Sequence, residues 1–190
     1  MQQPLWTPSA DRIAGTRMGA FRRFVNVRQS LQLADYPALH AWSVEQREAF
    51  WQAIADFFDI RFHSPAECVL REGPAMPDAQ WFPGATLNFA EHLLRRRDGH
   101  PALVAIAEDG NREQLSHAQL AAHVAGLQRA LQNAGVGIGD RVAAFMPNTW
   151  QTVVGMLATA SLGATWSSCS PDFGTQGVID RFGQIEPKVL

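Results

Sequence analysis

The sequence of 190 residues contains little cysteine, and its cysteines are not paired at metal-binding spacing. The two present, Cys68 and Cys169, lie in opposite halves of the chain. A disulfide framework needs several cysteines, and cysteine-based metal centres need closely spaced pairs. The sequence therefore excludes a disulfide framework and argues against a cysteine-based metal centre, and a reducing, cytoplasmic setting is expected.

The sequence also lacks long apolar runs and an excess of either charge. No stretch approaches the ~18 apolar residues of a membrane-spanning helix, and the opening MQQPLWTPSADR lacks the regions of a secretory signal. The formal net charge is −2. The one basic cluster, residues 95–97, is placed at the end of a predicted helix, where cations complement the helix dipole. We therefore expect neither a nucleic-acid partner nor a membrane partner.

Common motifs of catalysis and metal binding are missing. The six histidines show no HxxxH or HExxH spacing, so no metal site is predicted. There is no GxSxG elbow and no GxxxxGK[ST] loop, and Ser167, Ser168 and Ser170 have no base near them in sequence. The segment GVGIGD at 135–140 follows a predicted helix and precedes a strand, the reverse of a dinucleotide fingerprint. It is interpreted as a turn, and no catalytic residue is assigned.

Residues 1–100 carry mainly a helical pattern. Residues 1–34 are interpreted as an N-terminal extension that becomes helical near 19–33, and residues 35–100 as a helical segment. Ser43 and Gln46 have the spacing of a capping box. The large apolar residues that follow recur at helical spacing and predict one core-facing surface: Phe50, Trp51, Ile54, Phe57 and Phe58.

Proline and glycine recur through residues 63–87, which predicts an irregular segment. A further helix is expected to begin after Asn88 as its cap, with Phe89, Leu93 and Leu94 directed inward. The residues DGHP end this helix. The main domain boundary is therefore placed between residues 100 and 101.

Beyond residue 100, strands and helices alternate. ALVAIAEDGNREQLS predicts a hairpin with its turn at 109–111. Ser116 and Gln119 form a second capping box, and the helix that it starts is lined by Leu120, Val124, Leu127 and Leu131 and ends at Gly135. The strands RVAAFM, ATWSSC and KVL are separated by the helices TWQTVVGMLATASL and GTQGVIDRFGQI. This order predicts right-handed βαβ units, a parallel sheet and an α/β fold class.

The final residues, KVL, have the character of the start of a buried strand. Parallel strands are covered on both faces, so a sheet that stopped at this strand would expose an apolar edge. We therefore expect the sequence to be a fragment of a longer protein, with residues 101–190 as an incomplete domain.

Ligands of open parallel sheets bind beyond the carboxyl ends of the strands. Two such ends are predicted, at residues 146–148 and at SSCSPDFG, residues 167–174. The helices that follow them offer free N–H groups that can hold a phosphate or a carbonyl oxygen. For Asn148 a capping role is favoured. For Ser170 and Asp172 a capping role and a ligand-binding role both remain open.

Several stretches resemble one enzyme family. YPALHAWSVEQREAFWQAIADFF and WFPGATLNFAEHLL resemble the segment that precedes the adenylating domain of short-chain acyl-CoA synthetases. GIGDRVAAFMPNTWQTVVGMLATASLGA is similar to the early part of the adenylate-forming core. WSSCSPDFGTQGVIDRFGQIEPKVL and the opening PLWTPS are similar to the acetoacetyl-CoA synthetase branch. The resemblance extends over essentially all 190 residues.

The resemblance implies an N-terminal helical segment followed by the first βαβ units of the adenylate-forming large domain. It implies a ligase that joins acetoacetate to CoA with ATP and Mg²⁺ through an acyl adenylate. The family's phosphate loop, adenine-binding and ribose-binding residues and C-terminal catalytic lysine all lie beyond residue 190. The isolated chain is therefore expected to be inactive and to bind none of these molecules.

The resemblance also implies one candidate binding segment. Where related acetyl-CoA synthetases have FGG in the wall of the pantetheine channel, this sequence has Ser170, Pro171 and Asp172. The absence of the two glycines puts a close approach of the backbone to pantetheine in doubt at Pro171 and Asp172. Two alternatives remain open: a related acetyl-CoA or propionyl-CoA synthetase, and a truncated, non-catalytic folding or interaction module. The sequence predicts no oligomeric state.

Overall fold

The computed structural model describes residues 5–190, which divide into two units, one ending at Leu87 and the other spanning Asn88–Leu190. The side-chain amide of Asn88 donates to the carbonyls of Ala160 and Ser161, at 3.0 and 3.4 Å. Ala90 and Leu94 lie in the core of the second unit. The division into 1–34, 35–100 and 101–190 stays a prediction.

The α-helices within the described residues of the first unit are α1 (Ala10–Gly15), α2 (Arg17–Gln29), α3 (Tyr36–Glu45) and α4 (Arg47–Phe57). Their core consists of side chains from α2, α3 and α4, namely Phe21, Val25, Leu39, Trp42 and Ala53. The Phe21 ring meets the Phe57 ring nearly edge to face, with the centroids 5.3 Å apart. The helix predicted at 19–33 is thus α2, which begins and ends slightly earlier.

The capping box predicted at Ser43 is wrong. Ser43 lies inside α3, and its hydroxyl donates to the carbonyl of His40 at 2.7 Å. Helix α3 begins earlier, where the Asp35 carboxylate accepts the Ala38 N–H at 2.9 Å and Pro37 occupies the first turn. Helix α4 then follows Gln46 without a side-chain cap.

The predicted apolar surface of α4 is only partly buried. Phe50, Ile54 and Phe57 pack against the core of the unit, whereas Trp51 and Phe58 are 42% and 39% exposed. Five large residues in nine positions cover more of the helix circumference than one neighbouring surface can bury.

Residues 63–87 are largely irregular, as predicted. They contain the short antiparallel strands β1 (Leu70–Arg71) and β2 (Gln80–Trp81). A hydrogen bond of 2.8 Å between the hydroxyls of Ser64 and Thr86 joins the two ends of this segment. No helix within residues 5–190 is long and apolar enough to cross a membrane.

The second unit begins with α5 (Phe89–Leu93), whose predicted cap is confirmed because the Asn88 side chain accepts the Glu91 N–H at 3.1 Å. The inward direction predicted for Phe89 and Leu93 is wrong: they are 57% and 48% exposed. The inward direction predicted for Leu94 is confirmed, and Leu94 is buried together with Ala90. Residues four apart share a helix face, so one step along the chain moves the buried pair to the adjacent face.

The predicted hairpin is confirmed as antiparallel strands β3 (Pro101–Ile106) and β4 (Arg112–Ser116). The capping box at the start of α6 (His117–Asn133) is also confirmed. Its two hydrogen bonds run from the Gln119 N–H to the Ser116 hydroxyl, at 3.2 Å, and from the Ser116 N–H to the Gln119 side chain, at 2.9 Å.

The remaining elements are β5 (Arg141–Phe145), α7 (Trp150–Ser161), β6 (Thr165–Cys169), a 3₁₀ turn (Pro171–Phe173) and α8 (Gly174–Ile185). Strands β5 and β6 are parallel, and Val189 forms a parallel bridge with Val142 on the other side of β5. The Ala143 N–H donates to the Val189 carbonyl at 2.9 Å. The α/β fold class and the third strand position are confirmed.

The sheet is covered on both faces. Val142 packs into a core with α6 and α7, which includes Val154 and Leu157. The next residue, Ala143, packs on the opposite face with Cys169 of β6 and Phe182 of α8. Alternate residues of β5 thus enter two cores, as expected for a central parallel strand.

Candidate functional site

The two predicted carboxyl-end loops lie beside each other because β5 and β6 end in register. Phe145 pairs with Cys169, and the Met146 N–H donates to the Cys169 carbonyl at 3.2 Å. The chain that follows each strand therefore leaves the sheet at the same edge. This edge is where ligands of open parallel sheets bind.

In the loop after β5, the predicted cap is wrong. The residue before α7 is Thr149, which makes no side-chain capping bond, and Asn148 makes none either. The loop is held by the Pro147 carbonyl, which accepts the Thr149 N–H at 2.9 Å and the Thr152 hydroxyl at 2.7 Å. Asn148 is left exposed at a cavity of about 140 Å³ that Glu113 also lines.

In the loop after β6, Ser170 and Asp172 form a closed turn. The Ser170 hydroxyl donates to the Asp172 carboxylate at 2.7 Å and accepts the Asp172 N–H at 3.5 Å. Pro171 occupies the first position of this 3₁₀ turn, where its fixed φ is favourable. The three predicted residues are thus adjacent and exposed, and their polar atoms bond to one another.

Neither Ser170 nor Asp172 caps α8. The residue before α8 is Phe173, which makes no side-chain capping bond, and Gly174 has φ 61°, a conformation that favours glycine. The guanidinium of Arg181 lies 3.9 Å from the centroid of the Phe173 ring. Its Nη1 donates to the Gly177 carbonyl at 3.2 Å.

Charged groups at the opposite end of the strands have a structural role. Lys188, the single lysine of the sequence, donates through Nζ to the Gly135 carbonyl at 2.6 Å and to the Asp140 carboxylate at 2.9 Å. These bonds connect the loop before β5 to Lys188, which directly precedes the strand position at Val189. The hydrogen bond from Lys188, followed by one from the Gly137 N–H, holds the pKa of Asp140 below its usual value.

The interpretation of GVGIGD as a turn is confirmed. Gly135 and Gly139 both have φ near +80°, which L-residues with side chains rarely adopt. The loop enters β5 rather than a helix, so its N–H groups have no place in a dinucleotide site.

An apolar cavity of about 410 Å³ lies between α6, α7 and the β5–β6 sheet. The buried hydroxyl of Thr159 lies in its wall and has no hydrogen-bond partner within residues 5–190. The turn at Ser170–Asp172 does not line this cavity. The cavity and the candidate turn are therefore separate features.

Among the described residues, no group of three or more His, Cys, Asp or Glu side chains could hold a metal ion.

Sequence reasoning did not single out Phe173, Gly177 and Arg181. Their spacing of four residues was the available signal, because it places all three on one face of α8 and its N-terminal extension. An arginine at such spacing is common on exposed helices, so the spacing acquires meaning only with the observed ring contact.

Comparisons with known proteins match both units of the chain. The family model "Acetyl-coenzyme A synthetase N-terminus" matches residues 36–93, and the family model "AMP-binding enzyme" matches residues 89–190. The acetoacetyl-coenzyme A synthetase of Rhizobium meliloti (strain 1021) is 48% identical over 189 residues, which are 100% of this chain and 29% of that protein. The acetoacetyl-CoA synthetase of Xenopus tropicalis is 41% identical, over 98% of this chain and 28% of that protein.

A solved structure gives the same relationship. The acetoacetyl-CoA synthetase from Streptomyces lividans superposes with a TM-score of 0.89 at 46% identity and covers 98% of this chain. The chain spans 29% of the length of that structure. The family model for AMP-binding enzymes matches more than half of the residues in the chain. The chain therefore belongs to the AMP-binding enzyme family, and its acetoacetyl-CoA synthetase homologues match it along essentially its whole length.

Proposed function

We propose that these 190 residues are part of an acid–thiol ligase that forms acetoacetyl-CoA from acetoacetate, ATP and CoA. The observation that carries this proposal is the match at 48% identity along the whole chain to an acetoacetyl-coenzyme A synthetase. The site at the carboxyl edge of β5 and β6 supports it, because this edge is the ligand-binding edge of such a sheet.

The proposed reaction has two steps. The acetoacetate carboxylate attacks the α-phosphorus of ATP, an acyl–phosphate bond forms, and pyrophosphate leaves. The CoA thiol then loses its proton and attacks the acyl carbonyl, the thioester forms, and AMP leaves. Adenylation is required because a free carboxylate is a poor electrophile, and the charge that develops at phosphorus needs cations and N–H donors. Mg²⁺ enters with ATP as part of that substrate.

Within the proposed enzyme, the turn of Ser170, Pro171 and Asp172 borders the channel for the pantetheine arm of CoA. The turn is exposed at the carboxyl edge, as a channel wall must be. It differs from a glycine-rich wall, because Pro171 and Asp172 place side chains where glycines would leave the backbone open. Pantetheine would therefore meet the Pro171 ring and the polar atoms of Ser170 and Asp172. The phosphate-binding and catalytic groups of the proposed enzyme lie outside residues 1–190.

A hybrid enzyme tests this proposal. The region of the Rhizobium meliloti protein that matches residues 1–190 is replaced with this chain, and pyrophosphate release is measured with acetoacetate, acetate and propionate. We expect acetoacetate to react far faster than the other two acids, and acetoacetyl-CoA to accumulate when CoA is added. A folded hybrid that releases no pyrophosphate with acetoacetate would contradict the proposal.

Two other functions give different results. The family model for residues 36–93 is named for acetyl-coenzyme A synthetase. Equal rates with acetate or propionate, measured on the product of the complete reading frame and not on the hybrid, would favour such a related ligase. A non-catalytic module is favoured if the reading frame stops after codon 190. An open frame that encodes a Ser/Thr/Gly-rich phosphate loop favours the ligase.

The isolated 190-residue chain is proposed to have no ATP-dependent ligase activity. Its measurement is acetoacetyl-CoA formation by the purified chain, with the hybrid as the positive control. Turnover by the isolated chain would show that the phosphate-binding groups lie within it after all.

We also propose that the ligase works in the cytoplasm, where ATP and CoA are available, and cell fractionation with an antibody to this chain tests that placement.

A further inference from the structure

Helix α8, like α7, begins without a side-chain cap, whereas α5 and α6 each have one. Helix α6 starts with two reciprocal bonds between Ser116 and Gln119, and α5 starts with the Asn88 cap. Before α8 stands Phe173, whose ring makes no hydrogen bond. The side-chain contact that connects the 3₁₀ turn to α8 is therefore not a capping hydrogen bond.

That contact is the stack between Phe173 and Arg181. The guanidinium carbon lies 3.9 Å from the ring centroid, well within the ~6 Å range of a cation–π interaction. The bond from Nη1 to the Gly177 carbonyl fixes the guanidinium over the helix. The stack therefore joins the last residue of the turn to the second turn of α8.

Gly177 provides the space for this stack. A Cβ atom at that position would lie 3.1 Å from the Phe173 Cβ and 3.3 Å from the Arg181 Nη1. The backbone of Gly177 is ordinary helix, so the glycine is needed for space and not for conformation. Phe173, Gly177 and Arg181 thus form one packed row, which we call the 173–177–181 row.

We propose that Arg181 is a positioning residue for the CoA channel. Through its stack on Phe173, it fixes the turn of Ser170–Asp172 in place of a helix cap, and so sets the affinity for the pantetheine arm. This inference rests on the proposed function, because it assigns a purpose to the same turn.

A purely structural role is a weaker account of these contacts. Arg181 and Phe173 are both exposed and belong to none of the three hydrophobic cores. The residue that anchors α8 to the sheet is the neighbouring Phe182, which is buried against Ala143 and Cys169. Loss of the stack should therefore loosen the turn and leave the packing of α8 intact.

The experiment uses the hybrid enzyme and compares Arg181→Met, Arg181→Lys and Gly177→Ala. Arg181→Met keeps the aliphatic stem and removes the cation, and we expect it to raise KM for CoA about two- to fivefold, the range of an exposed cation–π contact. Arg181→Lys keeps a cation and should restore most of the affinity. Gly177→Ala should raise KM in the same way, because it pushes the two partners apart.

The readout that separates positioning from general damage is the first half-reaction. Pyrophosphate release without CoA should stay unchanged in all three variants, since only the CoA step uses the turn. Arg129→Met removes an exposed arginine on α6 and is the matched control, with both steps unchanged. If Arg181→Met and Gly177→Ala leave KM for CoA unchanged while Asp172→Asn raises it, the inference is overturned and the proposed channel stands.

A second measurement does not depend on ligase activity. In the 190-residue chain, backbone amide hydrogen exchange is followed at residues 170–176 and in β5. Arg181→Met should accelerate exchange in the turn and the first turn of α8 by the same two- to fivefold factor, with β5 unchanged. Unchanged exchange at the turn would overturn the inference, whether or not the hybrid is active. A hybrid that forms no acetoacetyl-CoA would contradict only the proposed function.

Discussion

The contact between α7 and the sheet at Gly155 allows a quantitative prediction. Gly155 is buried in α7, and a Cβ atom at this position would lie 2.6 Å from Cη2 and 2.9 Å from Cζ3 of Trp166 in β6. Carbon atoms in contact are normally ~3.5–4.0 Å apart. Gly155→Ala should therefore drive the methyl group about 1 Å into the indole ring.

The expected magnitude combines two opposing effects. Overpacking of a core of this kind destabilises by about 1–3 kcal/mol. Alanine in place of glycine in a helix interior stabilises by about 1 kcal/mol. A matched control separates the two effects: Gly126 lies in the interior of α6, and a Cβ atom there would meet nothing within 4 Å. Gly126→Ala should report the helix-propensity gain alone.

Urea unfolding of the 190-residue chain, followed by circular dichroism, measures both variants. We expect Gly126→Ala to raise the free energy of unfolding by about 0.5–1 kcal/mol. Gly155→Ala should lie about 1–3 kcal/mol below Gly126→Ala, because that difference isolates the clash. Trp166→Phe removes the outer ring atoms, so Gly155→Ala should be less destabilising in that background, with a coupling energy of about 0.5–3 kcal/mol.

One pair of results would refute the contact between α7 and the sheet at Gly155. If Gly155→Ala stabilises the chain as much as Gly126→Ala does, and Trp166→Phe does not change its effect, then α7 does not approach the sheet at this residue. The packing described for the core around Val154 and Leu157 would then be wrong as well.

Three further predictions concern single groups. Ser116→Ala should lower the free energy of unfolding by about 1 kcal/mol in urea, because α6 loses its cap. Thr159→Val should leave that free energy unchanged or raise it, since the buried hydroxyl has no partner. The lowered pKa of Asp140 means that its bonds stabilise the fold above the ordinary carboxyl pKa and are lost as pH falls through the folded pKa. Asp140→Asn should therefore flatten the pH dependence of unfolding below about pH 4.

The two capping boxes show when a local motif is a reliable signal. Ser43 and Ser116 are each followed by glutamine three residues later, yet only Ser116 begins a helix. Before Ser116 lies a strand, so its backbone is extended as a cap requires. Before Ser43 the chain is already helical from Tyr36, and the serine hydroxyl bonds to its own helix. The motif is informative only where the preceding residues cannot be helical.

The alternation of strands and helices beyond residue 100 could be predicted for two reasons. The apolar residues of each element recur at a regular spacing, and turn-forming residues mark where the element ends. The helix predicted as GTQGVIDRFGQI is observed as Gly174–Ile185. Gly135 follows α6 and has a positive φ, the conformation expected of a glycine that ends a helix. The direction of Phe89 and Leu93 could not be predicted, because a helix of one turn has too few residues to define a face.

The candidate site shows the limit of reasoning from residue types. The sequence located the turn of Ser170, Pro171 and Asp172 beyond β6 but left open whether these side chains cap a helix or face a ligand. The structure shows that Ser170 caps the 3₁₀ turn, that Asp172 lies inside this turn, and that neither residue caps α8. The residue before α8 is Phe173, so Ser170 and Asp172 lie too early in the chain to cap this helix. Their ligand-binding role stays a prediction.

The glycines of this region have a different purpose from those of a glycine-rich channel wall. Gly174 is required for backbone conformation, and Gly177 for the space under Arg181. At the turn itself, Pro171 restricts the backbone and the bond between Ser170 and Asp172 closes it. The turn is therefore held rigid by side chains, at positions where glycines would leave the backbone flexible. A rigid turn loses less entropy than a flexible one when it binds a ligand. In the proposed CoA channel, this saving would offset the loss of the closer backbone approach that two glycines allow.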